Sequence, residues 1–202
     1  MDVEKRTGLV HVITGDGKGK TTSSIGLALR AIGQGFNVYM IQFMKSGDTG
    51  ELFAVKKYLP NMTIVQFGKD ALDEKQLKMF EFDGKGEIKP VGPKGGKYYH
   101  FPPDHEEREA ARMALEHSFT VVNSGKYDLV ILDEANVILQ KKLVSIEDVI
   151  KLINEKPEMV EIVFTGRGAP QLLKDKADYV NEVKRIKHPY DRGILARRGI
   201  EY

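Results

Sequence analysis

Nine residues, Thr14-Gly15-Asp16-Gly17-Lys18-Gly19-Lys20-Thr21-Thr22, constrain the fold of this chain more than any other stretch. They follow an apolar run at 9–14 and open a segment of helical period at 21–32. There Ile25, Ala28, Leu29 and Ile32 share one face before Gly33 and Gly35 stop the helix. A strand that passes through a glycine-rich turn straight into a helix is the setting a Walker A loop requires. Gly15, Gly17 and Gly19 let backbone N–H groups turn inward, and the helix start adds the positive end of its dipole. Lys20 would reach phosphate oxygens as a point charge, and the Thr21 hydroxyl would ligate magnesium. Thr14 stands where the generic pattern has glycine.

The rest of the chain repeats the alternation. Short apolar runs rich in β-branched residues recur at 38–43, 63–67, 129–132, 162–165 and 179–186. The unbroken Leu129-Val130-Ile131-Leu132 suits a strand buried on both faces of a parallel sheet. Between the runs lie segments of helical period. Asp104 can cap a helix whose Ala111, Leu115, Phe119 and Val122 form a stripe. Ser145 and Asp148 resemble a capping box ahead of Ile146, Val149, Ile150 and Ile153, with Pro157 beyond, and Pro170 fits the first turn of another helix. Alternating strand and helix implies an α/β layered fold, here a three-layer P-loop domain of the RecA-like kind on a mainly parallel sheet. At 202 residues the chain is expected to be one domain spanning 1–202.

A second site feature follows from the first. In Tyr127-Asp128-Leu129-Val130-Ile131-Leu132-Asp133-Glu134, an apolar strand ends in two acids, as in a Walker B strand. Open parallel sheets bind ligands at the carboxyl ends of their strands, so one acid is expected to hold magnesium and the other to be structural or to position a water.

Composition narrows the functional classes. The 31 basic and 29 acidic side chains nearly balance, with net charge +2, which argues against a dedicated nucleic-acid binder. With no cysteine there is no disulfide, thiolate metal site or Cys nucleophile. No apolar run reaches the roughly 18 residues of a membrane span, and residues 1–8 lack the apolar core of a signal peptide. A soluble cytoplasmic protein is expected. Residues 83–97 break the rhythm with five glycines, two prolines and four lysines. They read as an exposed insertion, either inert or a mobile basic lid over an anionic ligand.

Further elements accompany the loop: Gln42-Phe43 with Lys45, Leu132-Asp133-Glu134, Thr165-Gly166-Arg167-Gly168 and Ala177-Asp178. The ending runs Lys187-His188-Pro189-Tyr190-Asp191-Arg192-Gly193 through Arg198-Gly199-Ile200-Glu201-Tyr202. Together they resemble the P-loop ATP:corrinoid adenosyltransferases of cobalamin biosynthesis and salvage, over nearly the whole chain apart from roughly residues 70–100. The resemblance implies that cobalt(I) of a corrinoid attacks the ribose 5′-carbon of ATP and that triphosphate leaves. ATP would lie reversed relative to a kinase, held by Gly15, Asp16, Gly17, Lys18, Gly19, Lys20, Thr21 and Thr22, with Arg167 as a further contact. Lys20 and Glu134 would be the catalytic groups, and Thr21, Glu134 and Asp133 the magnesium set. Phe101 and His188 are the candidate corrinoid contacts. A reductase would supply cobalt(I), and dimers are the family's tendency. Many members have Asn where Asp16 stands. A carboxylate there repels phosphate unless magnesium or Lys18 offsets it.

Two other readings use the same motifs. A small P-loop kinase or NTPase would use Asp133 or Glu134 to activate a nucleophile and would yield ADP. A nucleotide-gated binding module would offer the Lys-rich loop to a partner and do no chemistry. The product made from ATP separates the three.

Overall fold

The computed structural model describes residues 7–45, 47, 49–68 and 105–202. The Lys/Gly-rich stretch at 83–97, Asp104 and Phe101 lie outside the described residues.

The described residues form one sheet of six parallel strands: β1 (Val10–Thr14), β2 (Val38–Phe43), β3 (Met62–Phe67), β4 (Leu129–Asp133), β5 (Glu161–Thr165) and β6 (Tyr179–Glu182). Their spatial order is β3-β2-β4-β5-β1-β6. The strand feeding the glycine loop (β1) and the strand ending in the acids (β4) are therefore not neighbours, since β5 lies between them. That is the RecA-like arrangement expected from the sequence.

Helices cover both faces. On one side, α1 (Lys20–Gly33) and α2 (Gly50–Tyr58) pack on Ile13, Val38, Met40, Ile64, Leu129, Ile131 and Val163. The other side carries α3 (His105–Val122), α4 (Ala135–Gln140), α5 (Ile146–Glu155) and α6 (Gln171–Lys176). They pack on Val10, Val12, Tyr39, Ile41, Phe43, Val130, Leu132, Ile162 and Phe164. Alternate residues of β2 enter opposite layers, Val38 and Met40 one way, Tyr39, Ile41 and Phe43 the other. This is why the central strands read as unbroken apolar runs. Each fully buried Leu, Ile or Phe contributes about 1.5–3 kcal/mol, so the two layers supply the main stabilisation.

Local signals account for several boundaries. The Ser145 hydroxyl accepts from Asp148 N at 3.1 Å and donates to the Asp148 carboxylate at 2.7 Å, capping α5 as expected. Gly35, with φ 81°, turns the chain out of α1. Three expectations need correction. Leu29 is 58% exposed, because α1 turns Ser24, Ala28 and Ala31 to the sheet instead. The run at 179–186 makes a strand only over Tyr179–Glu182, at the sheet edge with all four residues exposed. Beyond it Val183 leaves the strand to pack against the glycine loop, donating to Thr14 O and accepting from Gly17 N, each at 2.8 Å. Pro170 sits one residue earlier than expected, as the cap of α6. Helices α2 and α4 were not legible, because neither stretch gives a clear apolar stripe. No helix among the described residues is long and apolar enough to cross a membrane.

Candidate nucleotide and metal site

The site forms at the carboxyl ends of β1, β4 and β5. Gly19 caps α1 at φ 123°, and a Cβ built there meets nothing within 4 Å. The backbone is thus open on the side where a ligand approaches a helix N-terminus. Gly15, at φ 104°, is required for a different reason: a Cβ would lie 2.4 Å from Val183 O. Lys20 is buried, and its ammonium donates to Gly17 O at 2.7 Å, folded back over its own loop. Burial pushes its pKa down and the Arg167 charge adds to this, while Glu134, Asp16 and Asp133 pull the other way. Lys18 and Thr22 are exposed on the rim.

Asp16 is engaged by the C-terminal segment. Its carboxylate accepts from Arg185 N at 3.1 Å, and that bond leads the causes that hold its pKa below the ordinary value. The charges of Arg185 and Arg167 act on this carboxylate as well, so the acid in the loop is offset by basic residues far along the chain.

Asp133 is fully buried and collects four donors. Thr21 Oγ1 at 2.8 Å and Thr165 Oγ1 at 2.6 Å donate to Oδ1; Lys45 Nζ at 2.7 Å and Gln42 Nε2 at 3.1 Å donate to Oδ2. A carboxylate offers about four lone-pair positions, so those of Asp133 are taken. The row continues outward: Gln66 Nε2 donates to Gln42 Oε1 at 2.8 Å, and Gln42 Nε2 also donates to Glu51 Oε1 at 2.9 Å. Gln66 and Gln42 face each other across β3 and β2, and Gln42 faces Asp133 across β2 and β4. The hydrogen bonds thus cross the sheet at one level. Burial alone would lower the Lys45 pKa, but Asp133, with Glu51 and Glu134, outweighs it and raises it.

Glu134 follows in the left-handed region, φ 64°, as the cap of α4. A non-glycine residue there costs about 1–3 kcal/mol and persists only when its surroundings fix it. Glu134 N donates to Thr165 Oγ1 at 3.1 Å. The next helix is tied down by Asn136, whose amide donates to Ile13 O at 3.3 Å and Gly166 O at 3.0 Å. Burial and then the Asp133 charge raise the Glu134 pKa, against Lys45, Lys20 and Arg167. Arg167 is exposed on the loop after β5, directly after Gly166, where an added Cβ would lie 3.2 Å from Glu134 Oε2.

The structure thus brings Gly15, Gly17, Gly19, Lys20, Thr21, Asp133, Glu134 and Arg167 together. Sequence reading missed the supporting roles of Gln42, Gln66, Glu51 and Asn136. The first two carried a signal, a lone amide at the same level of two otherwise apolar strands. His188 acts locally, its Nδ1 accepting from Tyr190 N at 3.2 Å to cap the 3-10 helix Pro189–Arg192. The ending folds on itself, with Arg197 N and guanidinium donating to the Glu201 carboxylate at 2.8–3.2 Å. Those bonds lower the Glu201 pKa to about 2, and the charge of Lys18 acts on the same carboxylate. The Tyr202 carbonyl oxygen lies 3.9 Å from where a Cβ on Gly50 would be. The C-terminal segment therefore crosses from the glycine loop to the start of α2.

Fold and site define a P-loop nucleotide-binding α/β protein. The family is narrower still. Residues 6–202 match the model of the family described as ATP:corrinoid adenosyltransferase BtuR/CobO/CobP, and the chain belongs to that family. It is 30% identical to the corrinoid adenosyltransferase of Escherichia coli (strain K12), over 96% of this chain and 86% of that protein. It is 31% identical to the corrinoid adenosyltransferase CobA of Salmonella typhimurium, over 98% of this chain and 88% of that protein. An uncharacterized protein of Nostoc is also 31% identical over 98% of this chain, which spans about half (49%) of its length.

Proposed function

We propose that this protein transfers the 5′-deoxyadenosyl group of ATP to cobalt(I) of a corrinoid, releasing inorganic triphosphate. The observation that carries this reading is the family match over residues 6–202, supported by the glycine loop, the α1 N-terminus and the buried Lys20 standing together. The cobalt(I) electron pair forms the bond to the ribose 5′-carbon. The bond from that carbon to the α-phosphate oxygen breaks, its electrons leave with the triphosphate, and cobalt is formally oxidised by two electrons. No general base is needed.

The protein's contribution is then electrostatic. Lys20, the loop amides around Gly19 and the α1 N-terminus would hold the triphosphate, with Arg167 on the loop of the adjoining β5 as a further cation. They stabilise the leaving polyanion more than bound ATP, and preorganised charge of this kind is usually the largest catalytic term. The hard oxygens of Thr21 and Glu134 fit a magnesium ion beside the phosphates, where it would neutralise part of their charge. Asp133, with its lone pairs filled, serves as an anchor that orients the Thr21 hydroxyl, leaving its oxygen lone pairs for the metal. We assign the corrinoid to the open side of this crevice. A separate reductase as the source of cobalt(I), a homodimer and a cytoplasmic location complete the reading.

Phosphorus NMR of a mixture of protein, ATP, magnesium and chemically reduced corrinoid tests it. Inorganic triphosphate should appear in step with a light-sensitive adenosylcorrinoid. Stoichiometric ADP without either product would overturn the assignment.

A further inference from the structure

Lys45 lies outside the glycine loop, and the chain is bent to bring it to Asp133. Met44 precedes it in the left-handed region, φ 58°, just past the end of β2, as Glu134 does at φ 64° just past the end of the adjoining β4. Two non-glycine residues in that region stand at neighbouring strand ends, one leading into the Lys45 ammonium and the other following the buried Asp133. Lys45 Nζ lies 2.7 Å from Asp133 Oδ2 and 3.6 Å from Glu51 Oε1, and its side chain is 25% exposed. Of the four donors on Asp133, Lys45 alone carries a full charge, and it shares Oδ2 with Gln42.

The remaining carboxylate supply is sparse. Among the described residues no three His, Cys, Asp or Glu side chains cluster to hold a metal. With Asp133 occupied, a dication would find one carboxylate, Glu134, and one hydroxyl, Thr21. Magnesium and manganese take six oxygens and keep water where protein ligands run out, so this pair binds weakly until phosphate oxygens complete the set. Resting on the proposed nucleotide and metal roles of the site, we propose that Lys45 is a positioning residue that makes metal binding conditional on nucleotide. It acts as a resident cation on Asp133 Oδ2, keeping that carboxylate out of the metal's inner shell and committed to Thr21. Without Lys45, Asp133 regains a lone pair and two adjacent carboxylates lose their fixed counter-charge. A dication can then enter before ATP does. Lys45 thereby excludes an unproductive state in which metal fills the crevice ahead of the triphosphate.

The test uses manganese as the probe, read by electron paramagnetic resonance of the free aqueous ion on the full chain. The parent should bind manganese when ATP is present and bind it at least tenfold more weakly when ATP is absent. Lys45→Met and Lys45→Gln should each tighten nucleotide-free manganese binding tenfold or more, narrowing the gap between the two conditions. Lys45→Arg, which keeps the charge, should behave as the parent. The two neutral variants are independent replacements, so one folded variant is enough to decide. A nucleotide-free manganese affinity unchanged in a folded neutral variant would overturn the role of Lys45. Failure of the parent to bind manganese even with ATP would overturn the metal reading beneath it.

Discussion

Lys20 is bonded to Gly17 O, inside its own loop. That contact keeps a buried ammonium partnered and the loop pre-shaped, so ATP exchanges one acceptor for several stronger ones. Lys20→Ala should weaken ATP binding by about 2 kcal/mol or more, roughly thirtyfold in Kd; an unchanged calorimetric affinity would remove the phosphate assignment. Glu134 is the opposite case, a residue that lowers stability where it stands. Its pKa is raised from the ordinary 4.5 by burial and then by Asp133. For an acid with a raised folded pKa, the ionised form is disfavoured in the native protein. Stability is therefore lost as pH rises above the ordinary value toward and past the folded one, and recovered as pH falls. Glu134→Gln should raise the melting temperature of ligand-free protein at pH 7 by about 2–4 °C. The gain should fade toward pH 4, and magnesium dependence should be lost. Melting curves at several pH values, with and without magnesium-ATP, check both parts; a variant less stable than the parent at pH 7 would contradict the argument from the buried charge.

The turns after β4 and β5 meet at Gly166, with φ 128°, where a Cβ would stand 3.1 Å from Asn136 Cβ and 3.2 Å from Glu134 Oε2. Gly166→Ala should destabilise the protein by about 1–3 kcal/mol. It should also raise the magnesium concentration needed at a fixed ATP concentration, because the Glu134 carboxylate must move. A magnesium titration midpoint equal to the parent's would show that the two turns are independent. This contact was half legible in the sequence. Thr165-Gly166-Arg167-Gly168 stood out as a resemblance, but its partner Asn136 lies in α4, a helix whose six residues carry no usable period. The loop at 14–22 was legible because its function sits in consecutive residues. The support of Asp133 was not, since Thr21, the pair Gln42 and Lys45, and Thr165 converge from three separate segments of the chain. Only the strand order brings them together. The acid at 16 misled for a related reason: its partner, Arg185, is 169 residues away.

At the scale of the molecule, both apolar layers share the same strands, and helices of both layers pack on β4. Neither layer can be lost alone without exposing the sheet. The chain should therefore melt in one transition with equal calorimetric and van't Hoff enthalpies; two resolved transitions would divide it into separate domains. The strand order has a further consequence, for the making of the protein. Flanked by β5 and β6, β1 has no partner strand from the first two-thirds of the chain. Its backbone is fastened by side chains that come much later: Leu9 N donates to Glu161, 152 residues on, and Val10 N to Asp178, 168 residues on. The strand that feeds the phosphate loop thus has no strand to pair with until β5 has emerged. Such long-range pairing forms slowly and leaves a hydrophobic strand uncovered meanwhile. A nascent chain should therefore acquire nucleotide affinity abruptly and late, once residues 161–182 are free of the exit tunnel, with no partly competent form during synthesis.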